Sequence, residues 1–195
     1  AAPSVPVEAR ANAGTDESAA PSASGPTNLQ DLQLMIPEAW TRQTPSSSMR
    51  LAQYEIPGSA GGATMAVFRF PGGGGSAAAN LARWKGQLAP HADSRPAKEQ
   101  IQTFGPITVT SLDAVGKFAP GPMPGAPAVA PIERGRMLAA VVEGVGDAYF
   151  FKCTGPEATL TEHEAGWAAM LASVTPAAAK RAGPPESAPA PAPAP

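Results

Sequence analysis

Two histidines, one cysteine and scattered carboxylates are the side chains of this 195-residue chain suited to metal, nucleophilic or acid–base chemistry. A structural zinc site takes four Cys and His ligands, so three such residues make a poor metal inventory. A single cysteine closes no internal disulfide. His163-Glu164 has the form of the opening of a zinc-protease helix, but Trp167 stands where a second histidine is required. His163 is therefore expected as an exposed helix residue, and His91, in the polar stretch APHADSRP, as a solvated one. Cys153 closes an apolar run beside Phe150 and Phe151 and reads as a buried thiol. A nucleophile needs an adjacent base, and neither histidine is close to Cys153 in sequence. The string PGGGGS ahead of a helix invites an anion-cradle reading. It lacks the Lys-Ser/Thr of a P-loop and the downstream acid of a dinucleotide site, and so reads as a connection. No catalytic, cofactor-binding or metal-ligating residue is singled out.

Recognition chemistry is the remaining class. Trp84 and Trp167 sit on helical apolar stripes and read as core anchors, whereas Trp40, after Pro37 in a polar loop, is open to both packing, which is favoured, and partner contact, for which it is kept as a candidate. The stretch from Ala119 to Ile132 carries five prolines and no charge, together with Met123, Val129 and Ile132. Loops are ordinarily polar, and a long uncharged one is either functional or a tolerated insertion. Prolines stiffen it, so it loses less entropy on binding than a Gly/Ser loop. Trp40, Met123, Val129 and Ile132 are the candidate partner contacts.

The elements that would position these residues follow from hydrophobic period. Leu32, Leu34 and Ile36 alternate up to Pro37, and Ala52, Tyr54 and Ile56 alternate into Pro57-Gly58, giving two strands. Thr64–Phe70 is apolar on both faces, as expected of a central strand covered by helices on both sides. Ser76 is a good N-cap for a helix through SAAANLARWKGQL, with Leu81, Trp84 and Leu88 as its stripe. A weak strand near Gln100–Phe104, another from Ile107 towards Phe118, and a hairpin of Met137–Val142 with Ala148–Cys153 follow. A last helix is expected to open on a Thr161/Glu164 capping box. The layout is α+β with a mainly antiparallel sheet.

Composition sets the boundaries. The chain holds 24 Pro and 20 Gly, yet every Trp, Tyr and Phe lies between Trp40 and Trp167. Residues 1–28 read as a disordered Ala/Ser/Pro-rich linker, 29–174 as one domain, and 175–195 as a disordered Ala/Pro-rich tail. A net charge of −2 gives no field for nucleic acid, and no apolar run reaches the roughly 18 residues of a membrane helix. The chain begins with Ala rather than Met, so a removed or omitted leader is expected. An Ala/Ser/Pro spacer suits an exported envelope or periplasmic protein; GC-rich codon usage gives the same composition.

A resemblance emerges from the motifs together. Met35-Ile36-Pro37 to Trp40 is followed by RLAQYEIP at Arg50–Pro57, then GGS with Asn80-Leu81-x-Arg83-Trp84-x-x-Gln87. Arg136 to Ala140, Phe150-Phe151-Lys152-x-x-Gly155-Pro156 and Met170-Leu171-x-Ser173 complete the set. Over residues 29–174 the chain resembles a family of uncharacterised bacterial envelope proteins, often predicted lipoproteins, with a fold similar to PsbP and the Mog-type proteins. The resemblance implies a twisted antiparallel sheet sandwiched between helices. It implies no activity, though PsbP is an extrinsic photosystem subunit and the Mog-type proteins bind a small GTPase. A lipoprotein begins with Cys, and this chain begins Ala1-Ala2-Pro3. The expected function is a non-enzymatic cell-envelope domain, without cofactor, that binds or stabilises an unidentified protein partner. The alternative is a small-ligand carrier with a pocket between sheet and helix; a hydrolase comes third.

Overall fold

The run from Gly135 to Val142 is buried at every residue, which an antiparallel strand tolerates only with cover on both faces. Leu138, Ala140 and Val142 enter one core cluster, and the alternate Met137, Ala139 and Val141 enter a second. The computed structural model describes residues 25–119 and 130–178. In chain order the elements are β1 (Pro26–Leu29), β2 (Leu32–Met35), β3 (Thr41–Gln43), β4 (Arg50–Ile56), β5 (Ala63–Arg69) and α1 (Ala77–Lys85). They continue with β6 (Leu88–Ala89), β7 (Lys98–Phe104), β8 (Ile107–Phe118), β9 (Ile132–Glu143) and β10 (Tyr149–Pro156). The chain then forms α2 (Glu157–Glu162), α3 (Glu164–Ala172) and β11 (Thr175–Pro176). The architecture is α+β and mostly antiparallel sheet.

One sheet runs β3-β4-β5-β10-β9-β8-β6, with β7 pairing along the rest of β8; a smaller one runs β1-β2-β11. The β4–β5 and β9–β10 hairpins form as the periodicity predicts. Strand β5 lies inside the sheet, with Met65 and Val67 in one cluster and Phe68 packed against the other. Leu81 and Trp84 of α1 belong to the second cluster, while Leu160 of α2 and Trp167, Met170 and Leu171 of α3 belong to the first. The two sheets are joined through Tyr149, whose hydroxyl donates to the Leu29 carbonyl at 2.7 Å and accepts from the Asp31 N–H at 3.1 Å.

Four expectations change. Helix α1 stops at Lys85, because the Gly86 N–H caps the Ala82 carbonyl at 3.2 Å; Leu88 continues the apolar stripe from β6. The Thr161/Glu164 pair is no capping box. The helix has already begun at Glu157, and the Thr161 hydroxyl donates to the carbonyl of Glu157, one turn back, at 2.7 Å. Ordered pairing also extends past both expected boundaries. Pro26–Asn28 pair with Gln33–Met35, and Thr175–Pro176 pair with Leu32–Gln33, so residues 26–28 and 175–176 are strand. The rest of both expected disordered ends lies outside the described residues, apart from Gly25 and residues 177–178. No helix among the described residues is long and apolar enough to cross a membrane.

The Ser76 cap forms as expected, its hydroxyl accepting from the Ala79 N–H at 3.2 Å. Ahead of it, Gly74 has φ +109°, and a Cβ there would stand 2.5 Å from the Phe150 ring. The glycine-rich connection thus lets the chain cross an aromatic ring and enter α1.

Candidate functional site

Of the four predicted contacts, Met123 and Val129 lie outside the described residues. Trp40 is corrected: it is 4% exposed and belongs to the core cluster under α2 and α3. Its indole Nε1 donates to His163 Nδ1 at 3.1 Å, and the two rings meet edge to face. Buried Trp needs a partner for its N–H, and this one lies far along the chain. His163 is corrected with it. Its Nε2 lies 2.7 Å from the Pro57 carbonyl, so one ring bridges two loops at the α2–α3 junction. His91 is half-buried rather than solvated; its Nδ1 accepts from the Asp93 N–H at 3.2 Å. Cys153 is buried as expected, and burial pushes its thiol well above the ordinary range.

Ile132 is half-buried and lines an open groove of about 630 Å³ with Ala60, Arg134, Pro156, Ala158 and Thr161. Glu157 completes the lining, so a mostly apolar lining carries one charge of each sign. Arg134 joins Glu157 at 3.3 Å and Asp93 at 3.2 Å. Behind this groove lies Arg136, the one buried charged residue among those described, at 2% exposure. Its Nε and Nη2 donate to the two Asp113 oxygens at 2.9 Å each. Its remaining contacts are Thr161 Oγ1 and Glu164 Oε2, both at 3.0 Å. Arg95 holds the same Asp113 carboxylate at 2.8 and 2.9 Å. Burial works to raise the Asp113 pKa, but hydrogen bonds from Arg136 and Arg95 outweigh it and hold the carboxyl below its usual value. This network fixes β8, β9 and the helices behind the groove.

The other face of the sheet carries a feature that sequence reasoning missed. Lys152 stands on β10 between Ala66 of β5 and Ala139 of β9. Its Nζ donates to Gln87 Oε1 and lies 5.6 Å from the centroid of the Phe118 ring. Arg83 and Arg50 are its charged neighbours. Burial first, then those two guanidinium groups, lower its pKa to about 8. Asn80, Arg83, Gln87 and Lys152 all appeared among the motif residues, but nothing in their spacing along the chain brings β10 beside α1. Among the described residues no group of three or more His, Cys, Asp or Glu side chains could hold a metal ion. No protein-family model and no curated protein matches the chain.

Proposed function

We propose that this chain is a non-enzymatic domain of the bacterial cell envelope that binds or stabilises another protein. The observation that carries the reading is the groove beside Ile132, mostly apolar in its lining, with the Arg134–Glu157 ion pair as its charged part. An apolar centre with a polar rim is the usual anatomy of a protein contact. The Arg136 network behind it keeps the groove formed before a partner arrives, which lowers the ordering cost of binding. The fold in this reading is the PsbP type, a twisted sheet sandwiched between helices. It is supported by α1 side chains entering one core cluster and those of α2 and α3 the other. The occupant is a short apolar segment of the partner protein.

A photoreactive residue at Ala158 tests this in cell-envelope extracts, with Lys98 on β7 as control. A single adduct formed from Ala158 alone, whose purified protein then binds wild type but not Ile132→Asp, is the expected result. Equal adducts at both positions, or binding indifferent to Ile132→Asp, contradicts it. A second reading, the small-ligand carrier, is favoured by a pocket of about 360 Å³ between α1 and β7, lined by Ala77, Leu81 and Ile101. Native mass spectrometry separates the two: the carrier retains a small molecule that Leu81→Arg displaces.

A further inference from the structure

We propose that Arg50, Arg83 and Lys152 form a binding site for a doubly charged oxyanion, a phosphate or a paired carboxylate, on the α1 face of the large sheet. Three lines of geometry bring the side chains together. Lys152 rises from an interior strand between two alanines, which leaves its stem unobstructed as far as Gln87 beyond the end of α1. Arg83 lies on the last turn of α1, and Gln87 follows in the turn that ends the helix, its N–H donating to the Trp84 carbonyl at 3.0 Å. Arg50 opposes Phe68, and Phe68 opposes Phe150, two residues from Lys152 on the same strand. Residues directly opposed share a sheet face, as do residues two apart, so Arg50 stands on the face of Lys152.

Among the described residues, the hydrogen-bond partners of these cations are neutral. Arg83 donates to Asn80 Oδ1 at 2.6 Å, and Arg50 donates to Gln53 Oε1 at 2.6 Å. Asn80 is itself fixed by bonds from its amide to the Gly74 and Ser76 carbonyls at 2.7 and 3.0 Å. The amides orient the guanidinium groups without cancelling their charge. By contrast, Arg69, Lys85, Arg95, Lys117, Arg134 and Arg136 each meet a carboxylate. Arg42, over the Tyr54 ring, and Lys98, on β7, also form no ion pair among the described residues, but only Arg50, Arg83 and Lys152 share a site. The closest acid by register on this face, Glu55, accepts from Gln43 at 3.1 Å. Each guanidinium keeps N–H donors to spare, in a fork that suits carboxylate and phosphate oxygens. Three positive charges answer a dianion better than a monoanion. Burial first, and then repulsion from Arg83 and Arg50, lowers the Lys152 pKa, and a bound dianion would offset both.

The test is calorimetric titration of the full chain with inorganic phosphate, sulfate and succinate at pH 7 and fixed ionic strength, with acetate as the monoanion. Saturable one-to-one binding of a dianion is expected, weakened at least tenfold by Arg83→Gln and unchanged by Lys98→Gln. Arg83 is exposed, so its replacement leaves folding intact even if Lys152→Met does not. Preference for phosphate and sulfate over succinate identifies a tetrahedral group, and the reverse a paired carboxylate. Ile132→Asp, which tests the protein groove, leaves this binding untouched. No saturable dianion binding, or equal affinity in Arg83→Gln, overturns the proposal and leaves a solvated lysine beside two surface arginines.

Discussion

On the face of the sheet covered by α2 and α3, Arg136 enters the interior with Asp113 and Glu164 already on its guanidinium. On the face covered by α1, Lys152 leaves an interior strand towards two more cations and a glutamine. The first arrangement answers its own desolvation: the carboxylates supply both charge and hydrogen bonds, and removing either side strands the other. The second does not, because amides and an aromatic ring orient a cation without neutralising it. Both faces have ordinary apolar clusters, so packing is not what separates them. The contrast teaches that matched charge holds this fold together, and that unmatched charge is held ready for something outside it.

The largest expected effect tests the premise that both faces pack alike. Trp84 is 4% exposed and meets Phe150 edge to face at 6.5 Å, so Trp84→Ala should cost roughly 3–5 kcal/mol in chemical denaturation. Melting unchanged from wild type would mean that α1 is no part of the core. Next comes the matched face. Asp113→Ala leaves Arg136 in the interior with one exposed glutamate, at an expected loss of about 3 kcal/mol at pH 7. Asp113 has its folded pKa lowered, so its contribution is present above its unfolded value and is lost as pH falls through the folded one. The penalty of Asp113→Ala should therefore shrink in acid.

The unmatched face predicts a dependence of the same sign, displaced to alkaline pH, and a smaller effect. The Lys152 pKa falls from 10.5 to about 8 in the folded chain. Between those values the unfolded chain holds a proton that the folded chain lacks, so stability rises with pH across that window. Below about pH 8 the folded chain bears the full cost of the charge. Urea midpoints at pH 7 and pH 9.5 for wild type and Lys152→Met measure it: the wild-type rise should exceed that of the variant. Equal rises would mean that neither burial nor the neighbouring guanidinium groups destabilise the charged Lys152.

Much of the sheet was legible because alternation is local. Ala52, Tyr54 and Ile56 face one core, and the Met137–Val142 run serves two. What escaped depended on pairing across long stretches of chain. The indole of Trp40, in a polar loop, reads as either core or contact until His163 supplies its partner. Thr161 and Glu164 have capping-box spacing, but the helix had begun after Pro156, and the hydroxyl turned back on its own carbonyl ladder. The edges of the fold were lost for a related reason. Pro26 and Pro176 look like linker until each is paired against β2, where a proline at a strand end leaves no ladder bond missing. The cation site was the least legible. Arg50, Arg83 and Lys152 each look like a solvated charge on a separate element, and only the insertion of β10 between β5 and β9 draws them together.

The central claim is that charge on the α1 face is not there for stability, and one double variant addresses it. Arg83→Gln with Lys152→Met removes two of the three cations and should be at least as stable as wild type in urea at pH 7, within the roughly 0.5 kcal/mol expected of surface changes or above it. A loss greater than about 1 kcal/mol would show that these cations support the fold, as Arg136 does, and would contradict the distinction between the two faces.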